Sequence, residues 1–243
     1  MKEIIREKNP VNKGKMRKIF WIVLIIPSLI LGVALAAFGT ASGCTDSEKY
    51  IIGLCFVIML GIVPVVIDLV WARQLAAHLN WMNQELLYKG KTDEYIAELN
   101  EHLRGSRSES LRQIYSINMA AAYCDKKDYA QAEKYLTSVN QNKIKGINRA
   151  ILMADMALVY FYLQDRENFA TAYHSIDFSL PVPSQEQRAV FLEVKIMERL
   201  FAGEKDEAME MLRQAKTEFT GERERTSLSD LETESQRFSG LIQ

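Results

Sequence analysis

A chain of 243 residues with 30 Lys and Arg against 31 Asp and Glu lacks the basic excess that nucleic-acid binding demands. Three cysteines without a CxxC pattern exclude a disulfide framework and a cysteine-rich metal module. Its 48% hydrophobic content is unevenly spread, concentrated in two runs near the start.

Residues 1–18 form a basic cytoplasmic N-terminus, with Lys2, Arg6, Lys8, Lys13, Lys15, Arg17 and Lys18 against Glu3 and Glu7. The apolar runs follow, and residues 19–71 are predicted to form a two-span membrane hairpin, with spans at about 19–39 and 50–71. Each run is about 20 residues, enough to cross a hydrocarbon core of about 30 Å, and the residues between them suffice only to turn around. Arg73, Lys89 and Lys91 lie beyond the second run, so the positive-inside rule places both termini in the cytoplasm. The expectation is an integral multi-pass protein of the cell membrane, in contact with lipid through both spans. Ala41-Ser42-Gly43-Cys44 looks something like a lipoprotein cleavage box. The preceding run, however, exceeds the usual signal core, and Ala41 stands where Leu is preferred.

Within the hairpin, Ser28, Gly32, Ala36 and Thr40 put small side chains on one face, and Gly53 and Gly61 offer the second run the same close approach. Packing between the two spans is the simpler use, and association of two copies into a homo-oligomer is the alternative. Asp68 is the one acid in an apolar run, and its neighbours Trp71 and Arg73 assign it to the interface rather than to ion transport. From Val65 to Lys89 there is no Pro or Gly, which predicts that the second span continues as one helix beyond the membrane. Ala72, Leu75, Leu79, Met82 and Leu86 mark its apolar seam.

The remaining pattern is helical, so the fold class is all-α. Amphipathic segments pair as 73–89 with 93–104, 108–124 with 128–139, 147–163 with 166–177, and 185–202 with 205–219. Buried faces are expected at Tyr95, Leu99 and Leu103, at Ile147, Ile151, Ala154, Leu158 and Phe161, and at Val190, Val194, Met197 and Phe201. Breaks at 89–92, Gly105-Ser106, 140–146 and 180–183 set the phase, and Ser184 with Gln187 reads as a capping box.

In the second pair, Met119-Ala120-Ala121-Ala122-Tyr123 followed by Lys127-Asp128-Tyr129-Ala130-Gln131-Ala132 resembles the tetratricopeptide repeat (TPR) family, whose units are helix pairs of about 34 residues. Trp81, Tyr88 and Ala97 fit the first pair, and Gly203, Glu207, Ala208, Leu212 and Ala215 the fourth. Aligning Ala97, Ala132, Ala172 and Ala208 requires an insertion around Tyr160 to Glu167. The resemblance implies a TPR-like α-solenoid of about four helix pairs over 72–219. Its inner groove, lined by the first helix of each pair, would bind a protein or peptide. Matching positions place Met82, Leu86, Lys89, Ile117, Ala121, Glu193 and Met197 at that groove. The subtype that grips a C-terminal carboxylate does not fit, because its positions hold Met82, Leu86, Ala154 and Leu158, with only Asn118 matching.

Residues 220–243 form a polar tail or a capping helix, with Leu228, Leu231, Phe238 and Leu241 on one face. His78, His102 and His174 read as scattered surface residues. No nucleotide-binding, acyl-transfer or zinc-protease motif occurs, so no catalytic, cofactor or metal residue is assigned and the chain is not expected to be an enzyme. The expected function is a membrane-anchored scaffold that holds a protein or peptide partner at the cytoplasmic face. The alternative is an accessory or sensor subunit of a membrane complex, recognised through the hairpin.

Overall fold

A computed structural model describes residue 22 and residues 46–106, 108–182 and 184–240. All regular structure among these described residues is helical, with nine α-helices and no strand. The chain divides into two compact units, Met1–Gln84 and Glu85–Gln243.

The first unit contains α1 (Asp46–Met82), which runs unbroken through Pro64 and leads into a π-helical turn, Asn83–Leu87. Ile62, Val65, Val66, Leu69 and Val70 stand exposed on it, Val65 at 67% and Leu69 at 68%. Farther along, Leu75, His78 and Met82 are buried at steps of three and four, while Leu79 is half-buried and Ala72 exposed. His78 therefore takes a place in the apolar seam and is not a surface histidine; its ring stacks on Trp81 at 6.1 Å.

Among the described residues, no helix is long and apolar enough to cross a membrane. The predicted first span, the basic start and the intervening turn lie outside them, apart from Ile22 and the first turn of α1. Side chains of the second span are described only from residue 62. The stretch 62–70 rises about 14 Å, under half of a hydrocarbon core of about 30 Å. The described helices thus lend the two-span hairpin no support.

The second unit is a series of antiparallel helix pairs. It holds α2 (Thr92–Gly105), α3 (Glu109–Asp125) with α4 (Tyr129–Thr137), α5 (Ile147–Tyr162) with α6 (Arg166–His174), α7 (Gln185–Ala202) with α8 (Lys205–Glu218), and α9 (Glu222–Gly240). Each pair packs within itself, α2 packs on α3, and the first helices pack in sequence, α3 on α5 and α5 on α7.

One turn geometry recurs four times. Gly90, Lys127, Gln164 and Gly203 all have positive φ, at 69°, 58°, 60° and 82°, and lie 37, 37 and 39 residues apart. After each, the next N–H reaches the carbonyl five residues back: Lys91 to Leu86, Asp128 to Tyr123, Asp165 to Tyr160 and Glu204 to Arg199, at 2.8–3.0 Å. This left-handed stop satisfies the carbonyls left open at a helix end, and the following helix starts two residues after each positive-φ residue. Asp128 and Asp165 then cap that helix, accepting from Gln131 N and Asn168 N.

The turns place the repeat differently from the alanine register. Counting from each positive-φ residue, the equivalent buried positions are Tyr95, Ala132, Phe169 and Ala208. Ala97 is exposed, because the buried face of α2 runs through Thr92, Tyr95 and Leu99. Ala172 is buried, but one turn farther along its helix. No insertion falls at 160–167, where the turn matches the others; extra length sits in the links 138–146 and 175–184. In the first link Asn140 caps a short 3-10 turn, Gln141–Lys143, and Gly146 at φ 59° leads into α5.

A continuous core runs from Ala120 to Leu231. Phe161 fills the gap between pairs, 6.3 Å from Phe169 and 5.0 Å from Phe201, and Phe169 meets Phe201 edge-on at 4.9 Å. Burying each such ring contributes on the order of 1.5–3 kcal/mol. Ser184 Oγ accepts from Gln187 N at 3.2 Å, but Gln187 Oε1 finds no partner among the described residues, so only half of the capping box forms. The tail residues 222–240 form α9, which packs on α7 and α8 and buries Leu228 and Leu231 completely. The side chain of Phe238, and Leu241, lie outside the described residues.

Candidate functional site: a cavity among the inner helices

The first helices of the pairs converge on a cavity of about 300 Å³. Ala120 and Ala121 of α3, Leu158 of α5, and Ala189 and Val190 of α7 form its apolar wall, and α9 closes the remaining side through Arg223, Ser227 and Asp230. Small residues on α3 and α7 leave the space open; bulkier side chains there would fill it.

The polar groups come from several helices and are unequally matched. Arg223 Nη1 donates to Glu186 Oε1 at 3.0 Å, and its guanidinium lies 4.6 Å from the Tyr88 ring centre. Tyr88 OH donates to the same Glu186 oxygen at 3.0 Å. Lys127 Nζ pairs with Asp230 Oδ1 at 2.9 Å, and Asp125 accepts from Thr92 Oγ1 at 2.6 Å. Tyr129 and Tyr162 stack with centroids 4.3 Å apart. Asp155 on α5 has no hydrogen-bond or ion-pair partner among the described residues. Glu193 on α7 is only 2% exposed and accepts from Ser227 Oγ at 2.8 Å.

Burial pushes the Asp155 carboxyl up to about 7, with Arg223 opposing the rise and Glu186 adding to it. Glu193 is likewise driven up by burial to about 7, against the Ser227 hydroxyl and Arg223. Asp155 keeps some accessible surface and is strongly desolvated all the same; that surface opens on the cavity. Cys124, also in the wall, is pushed up to about 12 by burial, which keeps its thiol protonated and unreactive.

Of the seven residues expected at the groove, Ala121 and Glu193 line the cavity. Met82, Leu86 and Met197 are fully buried, Ile117 is half-buried against the core, and Lys89 is exposed and paired with Glu85 at 2.7 Å. Asn118, the one match to the carboxylate-gripping subtype, is engaged by Tyr95 OH at 3.0 Å and by its own donation to Ile114 O. His102 is half-buried and stacks on Tyr115 at 5.4 Å; burial lowers its pKa. His174 is exposed. No group of His, Cys, Asp or Glu among the described residues is arranged to hold a metal ion.

Asp155 escaped the sequence reading although one signal marked it. It is the lone acid inside the apolar stretch 147–163, the same property that singled out Asp68. Glu186, Arg223 and Ser227 carried no such mark, since they sit in ordinary polar helix faces. No family model, curated protein or solved structure matches the chain.

Proposed function

We propose that the protein is a membrane-anchored, TPR-like adaptor that binds a protein or peptide partner at the cytoplasmic face. The observation that carries this reading is the recurrent left-handed turn, which stacks helix pairs in one phase and turns their first helices toward a common cavity. An array of that kind offers a partner a lined concavity rather than a reaction centre. The anchor rests on the two apolar runs and the basic start of the sequence; the exposed Ile62, Val65, Val66, Leu69 and Val70 of α1 are compatible with lipid contact along that short stretch but do not span a bilayer. Tethering raises the local concentration of the partner without new contacts.

The continuity of α1 from Asp46 to Met82 favours a second reading, an accessory or sensor subunit whose hairpin recognises a membrane protein. A helix of that length is about 55 Å long and transmits a displacement between its ends. Replacing residues 19–71 with an unrelated hairpin separates the two. In mild-detergent affinity purification, an adaptor retains its partner after the swap, whereas a subunit read through the hairpin loses it. Recovery of no partner by the unaltered chain counts against both.

A further inference from the structure

α9 reaches well beyond the helix pair that it follows. Arg223, near its start, donates to Glu186 on α7 and covers the ring of Tyr88 ahead of α2, while Asp230 pairs with Lys127 in the turn between α3 and α4. Between them Ser227 donates to Glu193 on α7. A helix that merely closed the end of the array would touch α7 and α8 alone. α9 instead lies across the cavity that α3, α5 and α7 share.

Its hold there is weak for a helix of 19 residues. Among its described side chains only Leu228, Leu231 and Ser235 are buried, whereas α7 buries seven. The ion pairs that it makes through Arg223, Asp230 and Glu232 are all partly exposed, and such pairs add little. Against the apolar wall of the cavity it sets Arg223, Ser227 and Asp230, a polar stripe at steps of four and three. About 300 Å³ stays unfilled, so the wall forgoes contacts that a longer side chain would supply. Few buried apolar contacts and many exposed polar ones mark a segment that opens before its surroundings do. Phe219 is buried, which places the hinge at Thr220 and Gly221.

We propose that α9 is a displaceable occupant of this inner face, and that an amphipathic helix of a partner polypeptide takes its place. The exchange rests on the adaptor reading and gives that partner its chemistry. α9 supplies the pattern: Leu as at 228 and 231, a base as at 223 to meet Glu186, and an acid as at 230 to meet Lys127. Where α9 has Ser227, the partner carries a longer side chain that fills the cavity and still donates to Glu193. Because α9 is tethered at high effective concentration, only a helix that fits better opens the face.

The test uses a dye-labelled synthetic peptide of residues 222–240, its Ser227→Gln form and its Leu228→Ala/Leu231→Ala form, titrated by fluorescence anisotropy into the full chain in mild detergent. The Ser227→Gln peptide should bind saturably and several-fold tighter than the native peptide, and the alanine form not at all. The full chain carrying Leu228→Ala, which loosens the resident helix, should bind both leucine-bearing peptides about tenfold tighter or more. Hydrogen exchange of the unaltered chain depends on no variant. There α9 amides should exchange about tenfold faster or more than those of α5 and α7, and saturating Ser227→Gln peptide should speed α9 further while α5 and α7 stay protected. A peptide that binds while α9 keeps its protection sits elsewhere and overturns the proposal. So does a Ser227→Gln peptide no tighter than the native one, an alanine form that binds equally well, or no saturable binding by the unaltered chain and by Leu228→Ala. If any of these occurs while the purified chain still retains a partner, the adaptor reading stands and the partner docks on another surface.

Discussion

At the scale of single residues, the positive-φ turns and the two cavity carboxylates carry the clearest consequences. Gly203 at φ 82° has open space where a Cβ would stand, so Gly203→Ala meets backbone strain and no clash. A loss of about 1–2 kcal/mol is expected, or roughly 2–4 °C in Tm for each kcal/mol. Gly105, at the end of α2 and equally unobstructed, lacks the positive φ, so Gly105→Ala should be neutral or slightly stabilising in the same melt. Asp155 and Glu193 are raised by burial above the ordinary carboxylate range, each to about 7. The folded chain therefore holds protons that the unfolded chain releases between about pH 4 and pH 7. Stability should fall as pH rises through that window and level off above it. Urea unfolding at several pH values, compared with the Asp155→Asn/Glu193→Gln double variant, reads this directly; an unflattened profile in the double variant would refute the assignment.

At the scale of elements, α9 shows how a charged segment becomes structural. Glu, Arg and Ser dominate its composition, yet Leu228 and Leu231 are 0% exposed and join the core begun by α3. Replacing either by Ala should cost about 2–5 kcal/mol, the range for emptying a buried Leu site. Removing Lys216, whose Nζ lies 2.5 Å from Glu232, should cost under about 1 kcal/mol because the pair is partly exposed. Chemical denaturation of the three variants tests whether apolar burial or the visible ion pairs hold α9 in place. Losing α9 would also uncover the cavity, since Arg223, Ser227 and Asp230 form one of its sides.

At the scale of the whole molecule, the proposed arrangement ties an apolar hairpin to a helical array. It predicts that the chain stays with the membrane fraction after alkaline carbonate washing. It also predicts that Cys44, in the turn between the two runs, reacts with a membrane-impermeant maleimide added from outside. Cys124 should stay unlabelled under the same conditions, being on the cytoplasmic side of the proposed topology and held as a neutral thiol by burial. Extraction by carbonate would overturn the anchor itself, and labelling of Cys44 only after the membrane is opened would reverse the topology.

Helix positions and polarity were legible in the sequence because they are local. Apolar residues at steps of three and four, with Gly, Ser and Asp at the breaks, place α3 to α8 within a few residues of where they lie. Register and facing were not. The alanines at 97 and 172 suggested a phase that the backbone contradicts, because a left-handed turn accepts Lys127 and Gln164 as well as Gly90 and Gly203, leaving no shared letter at the position that repeats. The groove residues depended on the same missing quantity. A one-residue change in how α5 faces its neighbours separates Ala154, which is buried, from Asp155, which opens on the cavity. Periodicity determines that a helix has an inner face; only the packing of several helices around a common space decides which side chain on that face meets the cavity.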